Sequence, residues 1–129
     1  MKGNKYLGFV IYSVKNMGKY LLLMYNKEMR MPKNPTKKQM EDGIKPWRDY
    51  LGPLAKRGRL ESSAPVEWNG KVITSSGIKD YKAQKIDLGG YMIIKAKNMA
   101  EAVKIAKNSP HARTQMGATT IREIVEIRM

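Results

Sequence analysis

The fold is decided by residues 88–112, which read LGGYMIIKAKNMAEAVKIAKNSPHA. Gly89-Gly90 is expected to turn the chain into a short apolar strand at 91–94, whose residue types are typical of a sheet. Asn98 predicts a helix start, because its side chain can accept a hydrogen bond there and Glu101 stands at the capping-box position. The helix should bury the apolar residues that are spaced by three and four positions, Met99, Ala102, Val103 and Ala106.

A second strand–helix unit precedes this one. Residues 19–26, KYLLLMYN, predict an apolar strand, and Thr36 can cap a helix whose apolar side chains are spaced by three and four residues. Pro46 and Pro53 interrupt the helical pattern, so a kinked or broken helix is expected. Gly58 should end this helix in the left-handed conformation that glycine adopts readily.

Further strands are predicted between the two units and after the second. Residues 59–67 and 71–75 indicate a hairpin joined at Asn69-Gly70, and 76–87 indicate a polar connection. Residues 119–128 alternate apolar and charged side chains, as a half-buried strand does. This order predicts an α+β fold, a ferredoxin-like βαββαβ sandwich with an antiparallel sheet and both helices on one face. The other face would be uncovered, so a homodimer formed sheet to sheet is expected.

The domain proper is predicted at residues 17–129, because Met17 directly precedes the first strong strand. Residues 1–16 would be an extension, either disordered or forming an extra strand at 5–14. The apolar run at 7–12 is short for a signal peptide, and no apolar run reaches the roughly 20 residues that span a bilayer. Since the chain has no cysteine, a reducing cytoplasm is the expected location.

The net charge of +14 increases the attraction of the protein to anionic molecules. Residues 1–60 hold 14 basic against 4 acidic side chains, and residues 61–129 hold 11 against 7. The lysines are dispersed and no nucleic-acid-binding motif occurs. Weak non-specific binding to nucleic acid is therefore expected, rather than specific recognition.

Six segments occur in an order that resembles the YCII-related family, in its branch named for a DGPF motif. They are KYLLLMYN at 19–26, W-x-x-Y-L at 47–51, L-x-x-x-G-x-L at 54–60, LGGYMII at 88–94, A-E-A-x-x-I-A at 100–106 and SPHA at 109–112. The resemblance covers residues 18–127 and implies a dimeric α+β barrel, in which two ferredoxin-like subunits pack sheet against sheet. It does not define a reaction.

Two departures from that family bear on activity. Counting back from LGGY, the Asp-Gly-Pro-Phe signature of the branch falls on residues 78–81, which read IKDY, although Lys85 stands at the position of a family lysine. Smaller YCII proteins carry a suspected catalytic His–Asp pair, and the corresponding positions hold Trp47 and Lys56. Neither side chain can do the acid–base work of that pair.

His111, the lone histidine, is the first candidate for acid–base chemistry, since imidazole groups exchange protons near neutral pH. Asp80 is the second, and Asp80 or Asp87 could orient the imidazole. The alternative is that His111 is a structural side chain near a helix C-terminus and that both aspartates are solvated surface groups.

Arg122 is a candidate for binding a ligand, because its guanidinium can hold a carboxylate or phosphate with two parallel hydrogen bonds. It could instead pair with an acid such as Glu123. A metal site and a cofactor are not expected, because the chain lacks cysteine and shows neither metal-ligand spacing nor a phosphate-binding glycine motif. The aromatic residues that could line a pocket between sheet and helices, or belong to the core, are Tyr25, Trp47, Tyr50 and Tyr91.

Three functional hypotheses remain open. The first is a small cytoplasmic homodimer that binds a small organic ligand, for which an anion suits the charge. The second is a cofactor-free acid–base enzyme, an isomerase or a hydrolase, that uses His111 and Asp80. The third is an interaction module, which the resemblance implies because this branch is associated with transcription sigma factors.

Overall fold

The computed structural model describes residues 16–27, 34–114 and 117–127, and its architecture is α+β. Neither helix in these ranges has the length and apolar character needed to cross a membrane. The extra strand predicted at 5–14 lies outside the described residues. In chain order the elements are β1 (Gly18–Lys27), α1 (Lys37–Lys56), β2 (Leu60–Pro65), β3 (Gly70–Thr74), β4 (Gly77–Tyr81), β5 (Ile86–Ala96), α2 (Met99–Lys107) and β6 (Gly117–Glu123).

Four strands form one antiparallel sheet in the order β2–β5–β1–β6. The long strands β1 and β5 lie in the middle, and both helices pack on the same face. This arrangement of two strand–helix units confirms the predicted ferredoxin-like α+β fold. Strands β3 and β4 form a separate two-stranded sheet.

Alternation along the two central strands builds the core. Tyr20, Leu22 and Met24 of β1 point toward the helices, as do Met92 and Ile94 of β5, and all five are buried. Because direct neighbours on adjacent strands point to the same face, these side chains form one continuous layer beneath the helices. The other buried apolar residues are Leu54 of α1, Ala96 of β5, and Ala102 and Ala106 of α2.

The intervening residues point to the opposite face of the sheet. Leu21, Leu23 and Tyr25 of β1 and Tyr91 and Ile93 of β5 are half-buried there. No helix in the described part of the chain packs on this side, and we call it the open face.

Helix α1 begins at the predicted cap. The Thr36 hydroxyl accepts a hydrogen bond from the backbone N–H of Gln39 (3.1 Å), and the Gln39 side chain accepts one from the N–H of Thr36 (2.9 Å). The helix runs continuously through Pro46 and Pro53, so a broken helix is ruled out and the kinked form stays a prediction. The carbonyl groups that these prolines leave unbonded lie four residues earlier at exposed positions, where water can bond them. Gly58 ends the helix at a positive φ of 69°, as predicted.

Helix α2 also begins where predicted, but its buried face is different. The Asn98 side chain accepts a hydrogen bond from Glu101 N–H (2.9 Å), whereas the Glu101 carboxylate accepts one from Lys97 N–H (3.2 Å) and not from Asn98. Met99 and Val103 are exposed, so the predicted apolar stripe is wrong at these two positions. The helix is rotated because small alanine side chains let it approach the sheet closely. The face toward the sheet contains Ala102, Ile105 and Ala106.

The predicted hairpin through Asn69-Gly70 is wrong. Strand β2 pairs with β5 in the main sheet, and β3 pairs with β4 inside the stretch predicted to be a polar connection. The chain turns at Ser75-Ser76, and Gly77 follows with a positive φ of 129°. The paired apolar residues Ile73 and Ile78 are 75% and 69% exposed. The hairpin therefore buries no apolar face, and its sequence lacks the alternation of apolar and polar residues that would have predicted two strands.

Two strand boundaries also differ from the prediction. Gly89-Gly90 lies inside β5 and not at a turn before it. A Cβ atom at position 89 would overlap the side-chain amide of Asn26, so a larger residue there would force that amide to move. Strand β6 ends at Glu123, and the apolar side chains of Val125 and Ile127 beyond it are exposed.

Candidate functional site

A groove with a volume of about 680 Å³ lies between α1 and α2. One wall is a stripe along α1 and its C-cap, formed by Pro46, Tyr50, Pro53 and Arg57, which are spaced by four, three and four residues. This spacing puts them on one side of the helix, so the groove follows the helix axis. We call it the interhelical groove.

The facing wall is a stripe of α2 with the same periodicity. Glu101, Lys104, Ile105 and Asn108 line the groove, spaced by three, one and three residues. The chain that follows α2 closes the end of this wall with Pro110 and Arg113. The signal for this wall was present in the sequence, since a polar stripe lies beside the alanines on the same helix.

Tyr50 joins the two helices across the groove. Its hydroxyl donates a hydrogen bond to the backbone carbonyl of Ile105 (2.7 Å). Burial raises the pKa of Tyr50 to about 12, so the phenol stays protonated and able to donate at physiological pH. Trp47 packs edge-on against Tyr50, with ring centroids 6.1 Å apart and an interplanar angle of 77°. The groove therefore has a fixed width at its centre.

An ion pair joins the walls near the end of α1. The Arg59 guanidinium bonds to the Glu101 carboxylate, and both side chains are partly buried. Burial alone would raise the pKa of Glu101, but the N–H of Lys97 and the charge of Arg59 outweigh burial and lower it. Glu101 thus stays ionised and neutralises Arg59.

Three other basic side chains line the groove. Arg57, Lys104 and Arg113 are exposed, and none of them has an ion-pair partner among the described residues. The lining also includes Asp49, which is exposed as well. After the Arg59–Glu101 pair is set aside, the groove retains three cations and one carboxylate. Such a lining favours an anion.

His111 lies outside the groove and is buried. Its Nδ1 atom is 2.8 Å from the hydroxyl of Thr119 on β6, and its Nε2 atom is 3.1 Å from the carbonyl oxygen of Tyr25 on β1. An Nε2–H group donates to the carbonyl, so in the neutral ring Nδ1 accepts from the Thr119 hydroxyl. His111 thereby ties the end of α2 to two strands.

The carboxylates proposed to assist His111 have other partners. Asp80 forms an ion pair with Lys71 across the β3–β4 hairpin, and both side chains are exposed. Asp87 accepts a hydrogen bond from the Tyr81 hydroxyl, which is the main reason that its pKa is lowered. In the described part of the chain, no residue that hydrogen-bonds to His111 also bonds to Asp80 or Asp87.

The predicted ligand-binding residues are divided between the two faces of the sheet. The Tyr91 hydroxyl lies 2.8 Å from that of Ser62 on the open face, where Tyr25 also points. Arg122 pairs in register with Leu21, so its side chain lies on the open face as well, and it is exposed there. Trp47 belongs to the helix layer, as does Tyr50, the fourth aromatic candidate. Of these five candidates Tyr50 alone lines the interhelical groove, and the ligand-binding role of all five stays a prediction.

The described residues contain no group of three or more His, Asp or Glu side chains placed to hold a metal ion. Most charged residues of the groove are instead basic, and three of these were not predicted from the sequence: Arg57, Lys104 and Arg113. Their positions relative to one another depend on how the helices pack, and a single sequence does not encode that packing in a readable pattern.

Comparison with known proteins gives one result on the family. The sequence model of a protein family, the YCII-related domain, matches residues 18–128, a range that includes every helix and strand described above. A search of curated proteins found no match.

Proposed function

Since the chain belongs to the YCII-related family, and since basic side chains line the interhelical groove, we propose that it is a ligand-binding protein that holds a small anionic organic molecule between α1 and α2. We place this role in the cytoplasm, which suits a chain without cysteine. The observation that carries the proposal is the set of unpaired cations, Arg57, Lys104 and Arg113, in a groove large enough for such a molecule.

The position of His111 supports a binding role over acid–base catalysis. Both of its ring nitrogens already have partners within the protein, and the side chain is only 7% exposed. A substrate would have to break one of these hydrogen bonds before the imidazole could exchange a proton with it. The transcription-linked role stays a prediction.

A titration tests the binding proposal. We expect phenyl phosphate to shift the amide NMR signals of groove residues, and the neutral analogue benzyl alcohol to shift them far less. The double variant Arg57→Glu/Lys104→Glu should abolish the effect, because it replaces two cations of the groove by anions. The matched control is Lys79→Glu/Lys82→Glu, which makes the same charge change near the β3–β4 hairpin and should bind like the wild type. Equal loss in both double variants would show that only net charge matters and would contradict the proposal.

We also propose that the protein is a homodimer in which two open faces pack together. Leu21, Leu23, Tyr25, Tyr91 and Ile93 give this face an apolar centre, and no described helix covers it. Burial of such a surface is favourable by about 25 cal/mol for each Å² of apolar area removed from water. A second copy supplies a cover of the same chemistry and shape.

Sedimentation velocity tests the dimer. The wild type should sediment at twice the chain mass of 14.7 kDa, and Ile93→Glu should sediment as a folded monomer because it buries a charge at the centre of the interface. Val72→Glu on the exposed hairpin is the control and should remain a dimer. A wild type that sediments at 14.7 kDa would contradict this part of the proposal.

A further inference from the structure

Resting on the proposed binding function, we infer that the interhelical groove is polarised and takes its ligand in one orientation. The anionic head of the ligand lies at the end formed by Arg57 and Lys104, and an apolar body extends toward Pro110. The ligand class is therefore an organic phosphate monoester or carboxylate with an apolar substituent, rather than a free inorganic anion.

Two contacts establish how the walls of the groove are aligned. Tyr50 bonds to Ile105 near the middle, and Arg59, which follows α1, bonds to Glu101 near the start of α2. Higher residue numbers on the α1 side thus meet lower residue numbers on α2. The two walls are antiparallel, so Arg57 faces the beginning of α2 and Pro46 faces the end of α2.

The direction of helical side chains separates the charges further. Side chains on a helix point toward its N-terminus. From this tendency we expect Lys104 to extend toward Glu101 and the Arg57 end, which we call the head end. We expect Asp49 to extend toward Pro46, away from the head end.

The balance of charge differs between the two ends. At the head end Glu101 is already bound to Arg59, so Arg57 and Lys104 remain available to an anion. At the far end Asp49 and Arg113 carry opposite charges. An anionic head gains more at the head end, because the far end has no net charge to offer.

The surface from the middle of the groove to its far end is lined largely by apolar groups. Pro46, Pro53, Ile105 and Pro110 contribute ring and aliphatic carbon atoms to the walls. From Pro46 to Arg57 the chain advances by eleven residue steps, or about 16 Å at 1.5 Å per step. That length exceeds a phosphate ion several-fold, and it suits a molecule with a carbon body.

Isothermal titration calorimetry on the full chain tests the orientation. Phenyl phosphate should bind more tightly than inorganic phosphate. Arg57→Gln and Lys104→Gln should each weaken phenyl phosphate binding about tenfold, the effect of losing one charge-assisted hydrogen bond. Arg113→Gln should weaken binding less than either of these variants, by less than about threefold, because Arg113 lies at the far end, where Asp49 offsets its charge. Lys79→Gln on the hairpin is the matched control, with unchanged affinity.

The outcomes separate the two proposals. If phenyl phosphate binds and Arg113→Gln weakens it as much as Arg57→Gln does, the polarity is wrong and the binding function stands. If inorganic phosphate binds as tightly as phenyl phosphate, the apolar body is wrong. If the wild type binds neither phosphate, the binding function fails, and the orientation fails with it. Circular dichroism of each variant verifies that it is folded.

Discussion

The two faces of the four-stranded sheet carry similar residues in different environments. On β1, Leu22 points to the helices and is 1% exposed, whereas Leu21 and Leu23 point to the open face and are half-buried. On β5, Met92 and Ile93 differ in the same way. Strand alternation alone divides the side chains between the faces, and what packs on each face then determines how much a residue stabilises the fold.

The largest expected effect comes from shortening a leucine on the helix-covered face. Leu22→Ala should lower the free energy of unfolding by about 3 kcal/mol, because it leaves a cavity beneath the helices. Leu21→Ala on the open face should cost about 1 kcal/mol in dilute protein, where this face is partly hydrated. Urea denaturation followed by circular dichroism measures both losses.

The same pair of variants sharpens the comparison when the protein concentration is raised. If a second copy covers the open face, the loss caused by Leu21→Ala should grow with protein concentration, and that caused by Leu22→Ala should not. Equal losses for the two variants in dilute protein would contradict the distinction between the faces.

A smaller loss of stability is expected from removing the His111 side chain, which hydrogen-bonds to two strands. His111→Ala should cost about 2 kcal/mol, because it removes two hydrogen bonds and leaves the Tyr25 carbonyl and the Thr119 hydroxyl without them. Arg122→Ala on the open face should change the stability by less than about 0.5 kcal/mol, since Arg122 is exposed. Thermal unfolding of both variants tests this prediction, and a larger loss for Arg122→Ala would overturn it.

The smallest effect is the pH dependence of stability that arises from the ion pair between Arg59 and Glu101. The folded-state pKa of Glu101 lies below its ordinary value of 4.5, so the folded protein binds this proton less readily than the unfolded chain. The stabilisation is complete above about pH 4.5 and is lost as the pH falls through the folded-state pKa.

Glu101→Gln should therefore flatten the decline of the unfolding free energy between pH 6 and pH 3, measured by urea denaturation at each pH. The control is Glu41→Gln, whose ion pair with Arg48 is exposed on both sides. This control should keep the wild-type decline, because exposed pairs contribute little. An unchanged decline in Glu101→Gln would show that the Arg59–Glu101 pair does not contribute to acid sensitivity.

The parts of the fold that follow local rules could be predicted from the sequence. Thr36 and Asn98 cap their helices, Gly58 is left-handed, and residues 19–26 lie in a buried strand, since each depends on neighbours within a few positions. The parts that depend on distant contacts were missed. The rotation of α2 is determined by its packing on the sheet. Because β2 pairs with β5 in the main sheet, β3 pairs with β4 instead.

The candidate site was harder to predict for the same reason. A groove between two helices combines residues that are about 50 positions apart, such as Tyr50 and Ile105. His111 was the first candidate because it is the one histidine in the sequence, but in the folded chain its ring hydrogen-bonds to β1 and β6. The common residues Arg57 and Lys104 were not candidates, because an isolated basic residue on a chain with 25 of them is not distinctive.

The β3–β4 hairpin leaves the main sheet after Pro65 and returns at Ile86, at the same end of two neighbouring antiparallel strands. The N–H of Val66 still donates to the Gly89 carbonyl of β5 (3.0 Å), so the detour at 67–85 starts and finishes close together. We expect that this hairpin can be shortened, lengthened or replaced without changing the register of the sheet. An insertion point at the edge of the four-stranded sheet is thus a place where this protein can acquire a new specificity.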